Sequence, residues 1–561
     1  MYIKVTRSGG HSYIQLAESY RDDSGKSRQR VISTMGRVDE SGGQVDAILN
    51  ALLRAKGRTA DEPQIEFESA LSLGNVWALH RLWHEVGFDA LARVFRKARF
   101  TTAVEHAIRV MVFNRLCDPD SKLGVLRWLE TVSMPQIDTA SLTHQQLLRS
   151  MDALIDHQEE VEKVIAQQLR PMVDQDLSMV FYDLTTIGVE GHTELTDDVR
   201  HYGMSKEGLI ARQFMLGVVQ TAEGLPIYHE VFDGNQPEAK TILPTVEKVL
   251  ARFSHIRRLI IVADRGLLSL DNMHELQKIT LSDGRKLEFI LAVPARRYGE
   301  FVEILEQFQS KITDQQKETI DETTWQDLRL VVAHHPIRAK EQTEWRRAKI
   351  KELEAKAVLW VNKLDHQDGG AVNRGRKLSD GGATARFYHE VKALRLAKII
   401  KVDLKSERFT YDIDEKALKH AELVDGKLVI VTNVKDVEIK PIDIIKRYKS
   451  LADIERGFRV LKSEIEIAPV YHRLPQRIRA HAMICFMALI LYRVMRERLK
   501  MANTNLSPER ALAQLKRIHR HQIKVNDKTM SGVSTLTKDQ TSLLGALALK
   551  KPTKKEQLSL L

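Results

Sequence analysis

Cysteine is scarce in this chain. Two residues in 561, Cys117 and Cys485, are too few for a disulfide framework or a multi-cysteine zinc site, and they fit a reducing cytosol. Long apolar runs are also missing. The longest, AMICFMALILY from Ala482 to Tyr492, covers 11 residues and stops at Arg493. That is too short to cross a bilayer and reads as a buried helix, so no membrane partner is expected. The opening MYIKVTRSGG has no apolar h-region, and no secretory signal is expected. No internal repeat is evident.

What is present is ordinary in bulk and uneven in placement. Hydrophobic residues at 43% and charged residues at 29% describe a soluble protein. The length exceeds one core and suggests roughly three or four domains. The formal net charge is +11. Residues 446–499 hold 12 Lys and Arg against 5 Asp and Glu, and residues 500–561 hold 12 against 4. These segments carry +7 and +8, so the rest of the chain stands at −4. A basic surface confined to one region is the footprint of a polyanion binder, through phosphate neutralisation and counterion release.

The chain divides by pattern. SYIQLAESY and SRQRVISTMG flank RDDSGK, with Gly25 at the bend, and predict a β-hairpin in a segment spanning 1–60 with its linker. Residues 61–175 read as helical, with Asp118–Pro119 separating two of the helices. From about Ser178 strand-like runs follow: SMVFYDLTTIGVE, RQFMLGVVQ with LPIYHEVF, and RRLIIVADRG. An α/β domain is therefore expected in two halves, 176–294 and 426–500, around an insertion at 295–425, with a basic region at 501–561.

The stretch YKSLADIERGFRVLK reads as one helix. Seven residues return to nearly the same angle, so Tyr448, Glu455 and Lys462 are expected on one stripe. Leu451, Ile454, Phe458, Leu461 and Ile465 form an apolar stripe beside it. An amphipathic surface helix with i, i+4 ion pairs gives the same pattern.

Two aspartates change its meaning. Asp183 closes the run MVFY and Asp264 closes LIIVA, both read as carboxyl ends of buried strands, where open α/β sheets place ligands. Acids there also serve as turn formers or helix caps. Two such aspartates plus Glu455 on a basic helix suit two Mg²⁺ ions, with Mn²⁺ as a substitute, because hard cations take carboxylate and water oxygens. Asp183 would bridge the ions, with Asp264 on one and Glu455 on the other, while Arg459 and Lys462 hold DNA phosphates.

Several motifs then fall in order: YDLTT at Asp183, VFDGNQPEAKT at 231–241, VADRGLLS at Asp264, IERGFRVLK with Glu455, and PVYHRLPQRIRAHAMICFMALIL. The sequence resembles bacterial insertion-sequence transposases of the DDE class, over most of its length. It is closest to the branch with a Tyr-Arg-Glu-Lys signature on the third-acid helix. The resemblance implies an α/β ribonuclease-H-like catalytic core interrupted by a mostly β insertion, preceded by a β-hairpin and a helical DNA-end-binding domain. It implies Asp183, Asp264 and Glu455 as catalytic metal ligands, with Tyr448, Lys462 and neighbouring cations on the transferred end. The signature arginine is replaced by Leu451, so its phosphate contact is lost or passes to Arg447, Lys449, Arg456 or Arg459. Terminal inverted-repeat DNA, target DNA and a second protomer are the implied partners, in a cytoplasmic, nucleoid-associated bacterial protein. Some relatives form DNA hairpins with a base stacked on tryptophan; Trp325, Trp345 and Trp360 lie in the insertion, and core packing is the plain alternative for each.

Other signals are weaker. SGKS at Ser24 to Ser27 lacks the earlier glycine of a phosphate loop, since that position is Tyr20. DGGAVNRGRKLSDGG has no strand-to-helix context, and His334–His335 and RIHRHQIK have no accompanying cysteine or paired acid. His201, Tyr202, Ser205 and Lys206 follow the first acid strand and are candidates to approach DNA. The rival readings are a DNA-binding regulator without catalysis and a metal-dependent nuclease that never joins strands.

Overall fold

The computed structural model describes residues 1–37, 42–57, 65–100, 102–173, 180–191, 195, 197–205, 208, 210–253, 259–263, 270–281, 284–312, 316–369, 377–435, 439–450, 452–525 and 528–552; for 42–46, 48, 239, 270–272 and 452–456 it describes the backbone alone. The chain forms two compact units, Met1–Ala70 with Arg520–Ser534, and Leu71–His519 with Thr535–Leu561.

In the first unit, His11–Arg21 and Ser27–Arg37 pair antiparallel around RDDSGK, and Tyr2–Ser8 adds a third strand on the other side of His11–Arg21. A segment of the C-terminal basic region returns here: His519–Val525 pairs with Lys528–Val533 in a sheet that also holds Ile65–Ser72.

The second unit is built on a nine-stranded sheet. Val180–Gly188 lies at its centre, antiparallel to Ile210–Thr221 on one side and parallel to Ile260–Ala263 on the other. Pro226–Asp233 and His201–Met204 share the far edge of Ile210–Thr221. Glu288–Ala292 continues the parallel side. Nearly every residue of the central strands is buried, which requires cover on both faces and explains their unbroken apolar runs.

Among the described residues one helix, Pro475–Met501, is long and apolar enough to cross a membrane, yet its apolar window is 89% buried by protein. It packs against His144–Asp156, Val104–Cys117, Gly74–Val86 and the strand Pro226–Asp233. His229 of that strand stacks on Phe486 at 4.5 Å.

The insertion differs from the expectation of a mostly β element. The strands Thr319–Trp325 and Leu328–His334 extend the central sheet through Lys427–Thr432, which joins Glu288–Ala292. Between His334 and Lys427 the chain is mainly helical: Pro336–Asp368, Asp380–Ala393 and Glu415–Val424, with one small ribbon of Ile400–Val402 and Tyr411–Ile413. Its charged stretch is rich in Ala, Glu, Lys, Arg and Leu, strong helix formers that favour helix over strand. This region has its own core around Leu353, Phe387, Val391 and Phe409. Arg346 ties it to the sheet through paired bonds of 2.7 and 2.5 Å to Asp425.

Candidate active site

Asp183 lies in the middle of its strand, not at its end. The strand runs on through Leu184, Thr185 and Ile187, because its antiparallel pairing continues to Gly188 opposite Gln213. Among the described residues its parallel pairing runs as far as Tyr182 opposite Ala263. The hydrophobic run therefore does not mark the end of the strand. Alternation assigns the faces: Tyr182 and Leu184 enter one core cluster, while Phe181 packs with Ile260, Val262, Ile444 and Ile445 on the other face. Asp183 shares Phe181's face, is 6% exposed, and accepts a hydrogen bond from the Leu184 N–H at 2.7 Å through Oδ1.

Two helices serve that face, where one was expected. The first is Pro441–Lys449 and the second Ala452–Ser463. The Ser450 N–H bonds the Lys446 carbonyl and its hydroxyl donates to the Arg447 carbonyl at 2.7 Å, closing the first helix. Tyr448 thus sits on a different helix from Glu455 and Lys462, not on the single continuous helix expected. Tyr448 is half-buried against the Ile444 cluster. Lys449 Nζ is 2.7 Å from Glu318 Oε1, and Arg447 is half-buried with one guanidinium nitrogen enclosed.

The second helix packs on the Asp183 strand and on Pro475–Met501. Phe458, Val460 and Leu461 are buried, Arg459 is exposed and Lys462 half-buried. A Cβ on Gly457 would lie 2.8 Å from Gln220 Nε2 and 3.0 Å from an Arg493 nitrogen, so the glycine permits this approach. Asp264, Leu451 and Lys206, and the side chains of Glu455 and Arg456, lie outside the described residues. His201 is half-buried and Tyr202 exposed at the sheet edge. Trp325 packs on Phe301, Trp360 on Phe387 and Phe409, and Trp345 is half-exposed.

Comparison with known families decides the class. Residues 3–64 match the IS1634 family transposase N-terminal domain, and residues 174–491 match the transposase DDE domain, more than half of the chain. The chain belongs to the insertion-sequence DDE transposases. No curated protein matches it. DDE domains as a class use divalent metals. The donor at the described acid, a buried carboxylate, is the hard oxygen such ions take. Among the described residues no group of three or more His, Cys, Asp and Glu stands together.

The transposase holds its central strand from several sides. Thr241 of VFDGNQPEAKT accepts the Tyr182 hydroxyl at 2.8 Å, anchoring the residue before Asp183. Burial pushes that phenol's pKa up. A Cβ on Gly234 would lie 1.9 Å from the Gln213 carbonyl, so the motif needs glycine where two edges meet. Beyond the strand, Asp198 pairs with Arg200 at 2.7 Å and Arg212 at 3.2 Å, and Arg212 also bonds the Gly191 carbonyl.

PVYHRLPQRIRAHAM carries part of the resemblance but has no role assigned by sequence. It lines a cavity of about 710 Å³ with Arg115 and Lys122 of the helical block. Lys122 shows no sequence signal of burial; it reads as a surface lysine at the start of a capped helix, after Ser121.

Proposed function

We propose that this transposase cleaves the ends of its element and joins the freed 3′-OH to target DNA, using Asp183, Asp264 and Glu455. The observation that carries the reading is the pairing of Tyr182 with Ala263, each the residue before one aspartate, under the helix that contains Glu455. Ile260 and Val262 share Phe181's face, and Asp264 is the next position in that alternation.

These three acids would hold two Mg²⁺ ions. When bound, the metals supply an activated water and stabilise the leaving oxygen of the phosphodiester. The residues themselves position and exclude: sheet burial fixes Asp183, and Gly457 lets the third-acid helix approach closely. Arg459 and Lys462 are proposed to neutralise phosphates, with Tyr448, Arg447, Lys449 and Arg456 as further contacts. Water adds to phosphorus as the bond to the 3′ oxygen breaks, and the released hydroxyl later attacks target phosphorus in the same way. Each step exchanges or hydrolyses one phosphodiester, so no ATP is needed. Residues before 175 would recognise the inverted repeats, and two protomers would pair the ends.

The test is cleavage of labelled duplex carrying the element's ends, with Mg²⁺ or EDTA, by wild type and Glu455→Gln. Metal-dependent cutting lost in the variant is expected. Binding without cutting by folded wild type would favour the regulator, and cutting without joining of pre-cut ends would favour the simple nuclease.

A further inference from the structure

The cavity beside the central strand holds cations that no carboxylate among the described residues compensates. Lys122 is 6% exposed, lines the cavity, and has no hydrogen-bond or ion-pair partner among the described residues. Arg115 is 5% exposed; its terminal nitrogens bond the backbone carbonyls of Glu466 and Asp120, and its Nε has no partner. Among the described residues no carboxylate answers either charge. Arg477 is taken by Asp152 through two bonds of 2.8 Å. The carboxylates of Asp120 and Glu466 are exposed, and Asp120 accepts from the Ser121 N–H and lies 3.4 Å from Arg127.

A buried ammonium without a counter-charge is costly, so an anion entering here would relieve a cost already present in the fold. Lys122 is also the first residue of the helix Lys122–Leu129, whose N-terminal dipole adds positive potential at the cavity. His481 and His472 add no charge, since burial above all holds both far below the ordinary histidine value, His472 at about 3.

The cavity's position indicates where the anion comes from. Its wall, residues 466–474, directly follows the third-acid helix. Val470 donates to the Gly188 carbonyl at 3.2 Å and accepts from the Glu190 N–H at 2.9 Å, so the wall is stitched to the continuation of the Asp183 strand. Five residues of strand separate Asp183 from Gly188, roughly 16 Å. We propose that this cavity receives a backbone phosphate of the DNA engaged at Asp183, held by Lys122 and Arg115. The proposal rests on the transposase reading above and adds a contact outside the signature helix.

The experiment measures binding of full-length protein to an element-end duplex over a range of salt, for wild type and Lys122→Met. The variant is expected to bind about tenfold more weakly, with the salt slope reduced by about one, while melting no lower than wild type. Duplexes with single neutral methylphosphonates supply the second arm. One position should weaken wild type by the same factor and add nothing to the variant. A folded variant with unchanged affinity and slope, or additive losses at every methylphosphonate, overturns the proposal. So does stabilisation of wild type by orthophosphate alone with DNA binding unaffected, which would assign the site to the free anion. Lys122→Gln replaces Lys122→Met if the latter does not fold. Failure of wild type to bind any end duplex would instead sink the transposase reading.

Discussion

The helices Pro441–Lys449 and Ala452–Ser463 are both basic and nearly contiguous, yet their charges are used differently. In the first, Lys449 is paired with Glu318, Lys446 lies 3.8 Å from Asp443, and Arg447 is half-buried. In the second, Arg459 is exposed and its side chain has no partner among the described residues. The first helix pairs Lys449 with Glu318 and sets Lys446 beside its own Asp443; the second presents Arg459 to solvent. Net charge therefore overstates the DNA-binding surface, and pairing is the better guide.

The largest effect should come from the acids. Asp183→Asn and Glu455→Gln are each expected to reduce end cleavage by about a thousandfold or more while end binding stays within a few-fold. Single-turnover cleavage beside a binding assay checks this, and full cutting by either variant would remove that residue from the site. Next is the approach of the second helix. Gly457→Ala forces a methyl against Gln220 and Arg493, both buried, at an overpacking cost of about 1–3 kcal/mol. Cleavage should fall about tenfold with a lower melting temperature and nearly unchanged DNA affinity; wild-type rates would show that the spacing of this helix is slack.

Which parts of this were visible in sequence follows from the range of each interaction. The apolar runs around Asp183 and Asp264 are strands because alternating and continuous hydrophobicity is a local signal, and Val180–Gly188 and Ile260–Ala263 carry it. The end of a strand is not local: Asp183 ends the apolar run, but Ile210–Thr221 keeps pairing for five more residues. The helix boundary at Ser450 was hidden because the heptad of Tyr448, Glu455 and Lys462 assumes one continuous cylinder, whereas Pro441–Lys449 and Ala452–Ser463 are separate helices. The helical insertion follows local propensity, whereas the β expectation came from family likeness. Lys122 could not be found from sequence, since its burial depends on a segment some 350 residues away.

Smaller effects sharpen the contrast between paired and free cations. Arg459→Ala should weaken end binding about three- to tenfold and lower the salt slope by about one. Lys449→Ala should weaken it less, because Glu318 already competes for the ammonium, and should change stability by at most about 1 kcal/mol. Equal slopes for the two variants would show that the ion pair opens on DNA.

The finest distinction is pH dependence, and it sets Lys122 against the paired Lys449. Burial, reinforced by the nearby Arg115 charge and partly offset by Cys485, lowers Lys122 from an ordinary 10.5 to about 8. Below pH 8 both folded and unfolded chains hold this proton, and the folded state bears the ammonium's cost. Between about 8 and 10.5 the folded lysine releases the proton while the unfolded chain keeps it, so stability from this group rises with pH. Methionine has no such term. The melting-temperature advantage of Lys122→Met should therefore be largest below pH 8 and shrink toward pH 10.5. Lys427, also lowered to about 8 by burial, is common to both proteins and cancels in the difference. A difference that stays constant across the window would mean that Lys122 keeps its charge in the folded protein, with a counter-charge closing on it much as Glu318 closes on Lys449.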